Sequence, residues 1–233
     1  MPISRPKLSI RKKLKELDSQ IEIQVGNLFD FQGAFVIGCN TAFDTNTNIG
    51  MISKNSLQGQ CISRFYHGKI STLDSDITKE LKNQSFEELT DDRSGKKKRY
   101  PLGTVVKLKN KNKVFYWISI ANLNEYGSVE DIDFEVIQEG LTKLWEKVKK
   151  SGNIDPLVIP LIGSSRCRIK KSRTEFVKAI IESFVLVCKD KKISEKLIIV
   201  ISPQDYKRYS INLKQLEEYL ICRCNFPDLK EST

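Results

Sequence analysis

A single histidine, His67, and six cysteines with no Cys-x-x-Cys pair leave little from which to build a zinc site, a disulfide framework or an imidazole-driven nucleophile. His67 reads as a surface or helix-end residue, with service as a general base as the alternative. Of Cys39, Cys61, Cys167, Cys188, Cys222 and Cys224, several sit in apolar patterns where a thiol packs as a small hydrophobe. The longest apolar runs, such as Leu197 to Ile201, fall far short of the roughly 20 residues that cross a bilayer, so no membrane span is expected. Met1 to Lys13 mixes proline with lysine and arginine and has no apolar stretch of secretory type, which points to the cytosol. There is neither a GxGxxG nor a P-loop pattern, so a Rossmann dehydrogenase or a nucleoside triphosphatase lacks its usual phosphate grip. Internal repeats and low-complexity linkers are absent as well.

What is present is an ordinary globular composition, 39% hydrophobic and 29% charged over 233 residues, long enough for one sizeable domain with insertions. A net charge of +10 favours anionic partners: a phosphorylated small molecule, nucleic acid or a phospholipid surface. Its densest cluster, Lys96 to Arg99, follows Asp91 to Gly95 and reads as a solvated loop, with nucleic-acid contact as the sharper alternative.

Along the chain, Leu8 to Leu17 carries apolar positions at mixed helical spacing among lysines, consistent with a short helix or a basic lead-in over residues 1–19. From Ile21 the pattern alternates and then breaks at Gly26, as for a strand entering a turn. Ala34 to Cys39 and Leu157 to Ile162 are continuously apolar and predict strands buried on both faces. Ser56–Tyr66 and Asp74–Lys82 predict helices, and Gly103–Lys109 with Val114–Ala121 predicts a hairpin. Ser128 to Asp131 is expected to open a long amphipathic helix whose aromatic residues, Phe134 and Trp145, face the core. Ser172 to Lys189 predicts another, with Phe176, Ile180, Phe184 and Val187 inward. The strand Leu197–Ile201 and the helix Leu213–Cys222 complete a main domain over 20–225, ahead of a polar tail over 226–233. Strands bracketing helices after a central hairpin imply an α/β fold with a mixed sheet and helices on both faces.

Ligands on such sheets collect beyond the carboxyl ends of the strands, and three loops there are unusual. Asn40 to Gly50 is a run of small polar residues with one aromatic, Phe43. Gly163-Ser164-Ser165-Arg166-Cys167-Arg168 links a strand to a helix N-terminus that favours anions, with arginine available for phosphate. Ser202 to Tyr206 follows the last strand, where Tyr206 can stack on a base. Three ordinary surface turns are the competing explanation, since glycine and serine are common in strand-to-helix turns.

Five short motifs in order carry a family resemblance: Val25-Gly26-Asn27-Leu28-Phe29-Asp30, Gly38-Cys39-Asn40-Thr41 with Phe43-Asp44-Thr45, Asn55-Ser56-Leu57-Gln58-Gly59, Tyr100-Pro101-Leu102-Gly103-Thr104 and Ile159-Pro160-Leu161-Ile162-Gly163. The chain resembles the macro domain, and more closely the macro-like domain of Thoeris-type anti-phage effectors, from about Ile21 to Asp205. The resemblance implies a three-layer α/β/α macro-like fold with a mixed central sheet. It also implies a pocket for an ADP-ribose-type ligand contacted by Asn27, Leu28, Asn40, Thr41, Phe43, Asp44, Thr45, Gln58, Gly163, Ser164, Ser165, Arg166, Cys167, Arg168 and Tyr206. Where the family holds adenine with an acid, this chain has Asn27, whose amide oxygen can accept the same hydrogen bond. The glycine run that wraps the distal ribose is missing from Asn40–Asn48.

ADP-ribose-removing macro domains often place an acid or histidine near the start of the next helix. Gln58 stands there and cannot act as a base, which leaves Asp44 as a replacement base or, alternatively, a loop-capping residue. The expectation is therefore a sensor without catalytic residues, cofactor or metal, reading an ADP-ribose-derived signal such as histidine–ADP-ribose made by a partner TIR-domain enzyme. An ADP-ribosyl hydrolase is the main rival and a basic nucleic-acid binder the third reading. Assembly into a homo-oligomer is compatible with the resemblance. The basic start, Arg5 to Lys15, would suit attachment to a membrane segment in a longer protein.

Overall fold

The computed structural model describes residues 8–15, 17–67, 69–90, 92–124, 126–152, 154–164 and 169–226. The strands, in chain order, are β1 (Ser9–Lys13), β2 (Gln20–Val25), β3 (Ala34–Asn40), β4 (Glu87–Glu88), β5 (Lys98–Arg99), β6 (Val105–Asn110), β7 (Lys113–Ala121), β8 (Leu157–Pro160) and β9 (Lys196–Ile201). The helices are α1 (Leu57–Cys61), α2 (Ile70–Leu81), α3 (Phe134–Ser151), α4 (Arg173–Asp190), α5 (Pro203–Arg208) and α6 (Leu213–Asn225). Seven strands follow the order β1-β2-β9-β8-β3-β7-β6, the mixed central sheet of a three-layer α/β/α fold. No described helix is long and apolar enough to cross a membrane.

Contacts divide the described chain into two compact units, one drawn from residues 1–33, 148–161 and 171–233, the other from 34–147 and 162–170. In the first unit β2, β9 and β8 run parallel; the Ile and Val side chains of β8 and β9 are buried on both faces, which is why these two segments read as unbroken apolar runs, whereas the β2 sequence alternates. Helix α4 packs with α6, and α6 with β1. A capping box starts α4: Ser172 Oγ accepts from Glu175 N, and the Glu175 carboxylate accepts from Ser172 N. Its inward face is Phe176, Ile180, Phe184, Val185 and Cys188, whereas Val187 is only half-buried.

The segment Ser9–Lys13 is neither a helix nor a lead-in but an edge strand, antiparallel to β2. Ile10 and Leu14 are buried, Arg11 and Lys13 are exposed and Lys12 is half-buried, and charge on a sheet edge discourages pairing with a foreign strand. Pairing with β2 overrides the weak helical spacing.

In the second unit β3 and β7 are parallel and β6 turns into β7 through Lys111, whose φ of 52° suits a tight hairpin. Trp117, Tyr116 and Phe115 of β7 are fully buried. Helix α1 is capped by Ser56, whose Oγ accepts from Gly59 N. It passes into a π-helical turn, Ile62–Tyr66, closed by exposed His67 in the left-handed region (φ 45°), as expected of a helix-end residue.

The expected start of the long helix at Ser128 is incorrect, because α3 begins at Phe134. Upstream, Val129 bridges Leu123, and Ser128 N and Tyr126 N both donate to Asn124 Oδ1, so the backbone of Ser128 is committed to a turn. Trp145 is core, but Phe134 is only half-buried, since it now stands at the helix entrance.

Candidate ligand site

The loop after β3 folds around its own side chains. Asn40 Oδ1 accepts from Ala42 N (3.0 Å) and Asp44 N (3.3 Å), and Phe43 N donates to Asn40 O (3.0 Å). This tight turn holds Phe43 at φ 51°, fully buried, with its ring edge-on to Tyr100 at 5.9 Å. Thr41 Oγ1 donates to Asn122 Oδ1 (2.9 Å), which ties the end of β3 to the end of β7. Thr45 Oγ1 donates to Asp74 Oδ1 (2.7 Å), and Gln58 Nε2 to Asp44 O (2.7 Å). Asn40, Thr41, Phe43, Asp44, Thr45 and Gln58 are thus brought together, yet their side chains are buried and engaged inside the protein. They shape the loop. Its outer stretch, Asn48 to Gly50, carries the exposed surface.

Asp44 decides what this loop can do chemically. The Arg93 guanidinium grips both carboxylate oxygens, Nη1 to Oδ1 at 3.2 Å and Nη2 to Oδ2 at 2.5 Å, and Lys96 N donates to Oδ1 at 2.7 Å. Both side chains are almost fully excluded from solvent, at 3% and 2% exposure. With three charge-assisted or backbone hydrogen bonds on a carboxylate that is buried with its partner, Asp44 anchors the loop.

The same contacts revise the basic cluster. Residues 85–90 and 92–100 form a strap laid over the loop after β3, built on the β4–β5 hairpin, where Glu87 pairs with Arg99 and Glu88 with Lys98. Lys96 Nζ pairs with Asp74 (2.6 Å), Lys97 Nζ donates to the Arg93 carbonyl, Lys98 lies over the Phe86 ring (3.9 Å) and Arg99 donates to Leu123 O (3.3 Å). Each of these cations is engaged by a partner within the protein, so the segment is no free solvated loop. Tyr100 N donates to Thr41 O (2.9 Å), and a cleft of about 360 Å³ opens between Phe86, Arg99, Tyr100, Pro101 and Asn122. Neither strap nor cleft was legible in the sequence. Arg93 stands 49 residues from Asp44, so no local pattern signals their pairing.

Burial raises the Cys39 thiol well above its ordinary value and pushes Cys61 up to about 12. Both act as packed hydrophobes beside the loop, as expected, and not as nucleophiles. In the loop after β8, Gly163 lies at φ 76°, which requires glycine, and Ser164 is buried. Ser165, Arg166, Cys167 and Arg168 lie outside the described residues.

Three expected contact residues belong to the first unit. Asn27 is exposed and caps a 3-10 turn over Leu28–Asp30, its Oδ1 accepting from Phe29 N (3.0 Å) with a second lone pair left over. Leu28 is core, 3% exposed, so only its backbone can face a ligand. Tyr206 is half-buried within α5, a helix opened by Ser202 and Pro203 where a loop was expected. Tyr209, and not Tyr206, takes the nearby arginine: the Arg173 guanidinium stacks 4.2 Å from its ring centre and donates to its hydroxyl (3.1 Å).

The Oceanobacillus iheyensis macrodomain with ADP aligns at TM-score 0.58 and 12% identity, covering 91% of this chain and 97% of that one. A point mutant of the same macrodomain aligns at TM-score 0.61 and 14% identity over 94% and 97%. Thermosipho africanus DarTG in complex with ADP-ribose aligns at TM-score 0.50 and 16% identity, covering 90% of this chain and 48% of that one. These likenesses show the fold. In sequence, the chain is 27% identical to Thoeris protein ThsA of Bacillus amyloliquefaciens (strain Y2) over 219 residues, 86% of this chain and 68% of the relative. The family described as the macro domain of Thoeris protein ThsA matches residues 21–202, most of the chain, and the chain belongs to that family.

Proposed function

We propose that this chain is a sensor module that binds an NAD-derived nucleotide of the ADP-ribose type, made by a partner TIR-domain enzyme in anti-phage defence, and releases it unchanged. The macro fold, with relatives solved with ADP and with ADP-ribose, supports the ligand class. The observation that carries binding without turnover is the state of Asp44: the single acid of the loop after β3 has both oxygens occupied by Arg93 and Lys96. Gln58, at the start of α1, is an amide. A rigid, pre-shaped loop lowers the entropic cost of holding a ligand.

Isothermal calorimetry with ADP-ribose and with histidine–ADP-ribose, followed by mass spectrometry of the recovered ligand, tests this reading. Saturable binding with the ligand intact is the expected result, and tighter binding of the conjugate would match a signal of that form. Recovery of a cleaved ligand would make the chain an ADP-ribosyl hydrolase instead, and no binding of either compound would overturn the ligand class.

A further inference from the structure

The cleft of about 360 Å³ between Phe86, Arg99, Tyr100, Pro101 and Asn122 shares none of its lining, among the described residues, with the nucleotide contacts expected from the family motifs. Its walls are fixed. Tyr100 N donates to Thr41 O at 2.9 Å, and the Tyr100 ring stands edge-on to buried Phe43 at 5.9 Å and tilted against Phe86 at 6.0 Å. Pro101 O accepts from Thr104 N at 3.2 Å, Thr104 Oγ1 at 2.7 Å and Ser119 Oγ at 2.9 Å. Phe86 keeps 46% exposure although Lys98 Nζ lies over its ring at 3.9 Å. A ring left open on the held wall of a cavity is apolar area offered to an occupant.

The polar groups of the cleft are unbalanced. Its carbonyl acceptors are engaged: Pro101 O as above, Leu102 O by Lys143 Nζ (3.0 Å), Asn122 Oδ1 by Thr41 Oγ1 (2.9 Å) and Asn122 O by Glu130 N (3.0 Å). The Glu87 carboxylate belongs to the residue in register with Arg99 across the β4–β5 hairpin. Donors are left over. With Asn122 Oδ1 turned to Thr41, neither the Asn122 Nδ2 hydrogens nor the Tyr100 hydroxyl meet an acceptor among the described residues.

An occupant that fits therefore brings compact apolar surface and strong carbonyl acceptors but few N–H donors, which would be stranded on burial there. A proline-rich segment has that composition, since each residue contributes a ring and a carbonyl and has no backbone N–H. It is also extended in advance as polyproline II, so it loses little entropy on entering an aromatic-lined groove. The volume suits a short stretch of chain and not a folded partner. We infer that this cleft is a docking site for a proline-rich segment of a partner protein, in which Phe86 and Tyr100 receive prolyl rings while the Asn122 amide and the Tyr100 hydroxyl donate to the segment's carbonyls. The inference stands apart from the sensor reading.

Calorimetry of the native chain, Phe86→Ala and Tyr100→Phe with blocked decaproline, and with a glycine–serine peptide of equal length, tests it. The native chain should bind decaproline saturably and ignore the flexible control. Phe86→Ala should weaken decaproline about ten-fold or more, as expected for losing one buried ring, and Tyr100→Phe about three- to ten-fold, as expected for losing one hydrogen bond. Both variants should keep the native melting midpoint, because Phe86 is half exposed and Tyr100→Phe removes only a hydroxyl. Should Phe86→Ala fail to fold, Tyr100→Phe decides by itself. No binding of decaproline, equal binding of the control, or native affinity in Tyr100→Phe or in a folded Phe86→Ala would overturn the assignment. So would displacement of decaproline by saturating ADP-ribose, which would make the cleft part of the nucleotide site. A chain that binds decaproline but not ADP-ribose keeps this site and loses the sensor reading; the reverse result does the opposite.

Discussion

The residue that most changes meaning between sequence and structure is Asp44. As a lone acid in a polar loop it is open to two roles, base or loop cap, and the buried guanidinium of Arg93 against it supplies the loop-anchoring contact that the sequence does not reveal. Removing one partner of such a pair leaves an uncompensated buried charge, so Arg93→Ala should cost about 3–5 kcal/mol, a large part of a typical domain's stability. The double replacement Asp44→Leu with Arg93→Met should recover most of that, because no charge is then stranded. Urea midpoints of the two variants measure both effects; a double variant as unstable as the single one would show that the loop needs the ion pair's geometry and not merely its neutrality. The buried thiols set an alkaline limit. Cys61 and Cys224 are both raised by burial from 9.0 to about 12, and Cys188 to about 11. Below pH 9 these thiols are protonated in both states and their contribution is fully present. As pH rises past 9 the unfolded chain ionises first, so that contribution is lost progressively toward pH 11–12. Denaturant midpoints under reducing conditions should fall between pH 9 and 10.5, and Cys61→Ala should flatten the slope.

At the scale of elements, the strap of residues 85–90 and 92–100 holds this loop in its form. Gly95 fits because nothing larger does: a Cβ there would lie 2.1 Å from Arg93 Nη1 and 2.4 Å from Asp44 Oδ1. Gly95→Ala should dislodge the strap, and amide exchange should quicken over residues 41–45 while the centre of α4 keeps its protection; unchanged exchange in the loop would mean that the strap does not hold it. The capping box of α4 offers a separate check, since Ser172→Ala should lower stability by about 1 kcal/mol, read as a shifted thermal midpoint. Apolar periodicity placed β3, β8, β9 and α4 well because burial on both faces, or on one helical stripe, leaves a pattern in the chain. It misplaced β1 and the start of α3 because an edge strand and an Asx-type turn depend on partners, Gln20–Val25 and Asn124, that local spacing does not reveal.

For the molecule as a whole, a ligand that binds only the folded chain must stabilise it. Saturating ADP-ribose at a hundred times its dissociation constant should add about 2.7 kcal/mol, which for a chain of this size raises the melting temperature by about 2–4 °C per kcal/mol. An unmoved melting curve at saturating ligand would contradict specific binding. By itself the sequence determined the fold class, the mixed sheet and the macro-family motifs, because each rests on hydrophobic pattern and on short segments whose residues act near one another in the chain. Only the tertiary structure decided which polar residues of those motifs are scaffold. Asp44 meets Arg93 across 49 residues and Thr41 meets Asn122 across 81, and no local rule states whether a polar side chain is consumed by a distant partner or left free for a ligand.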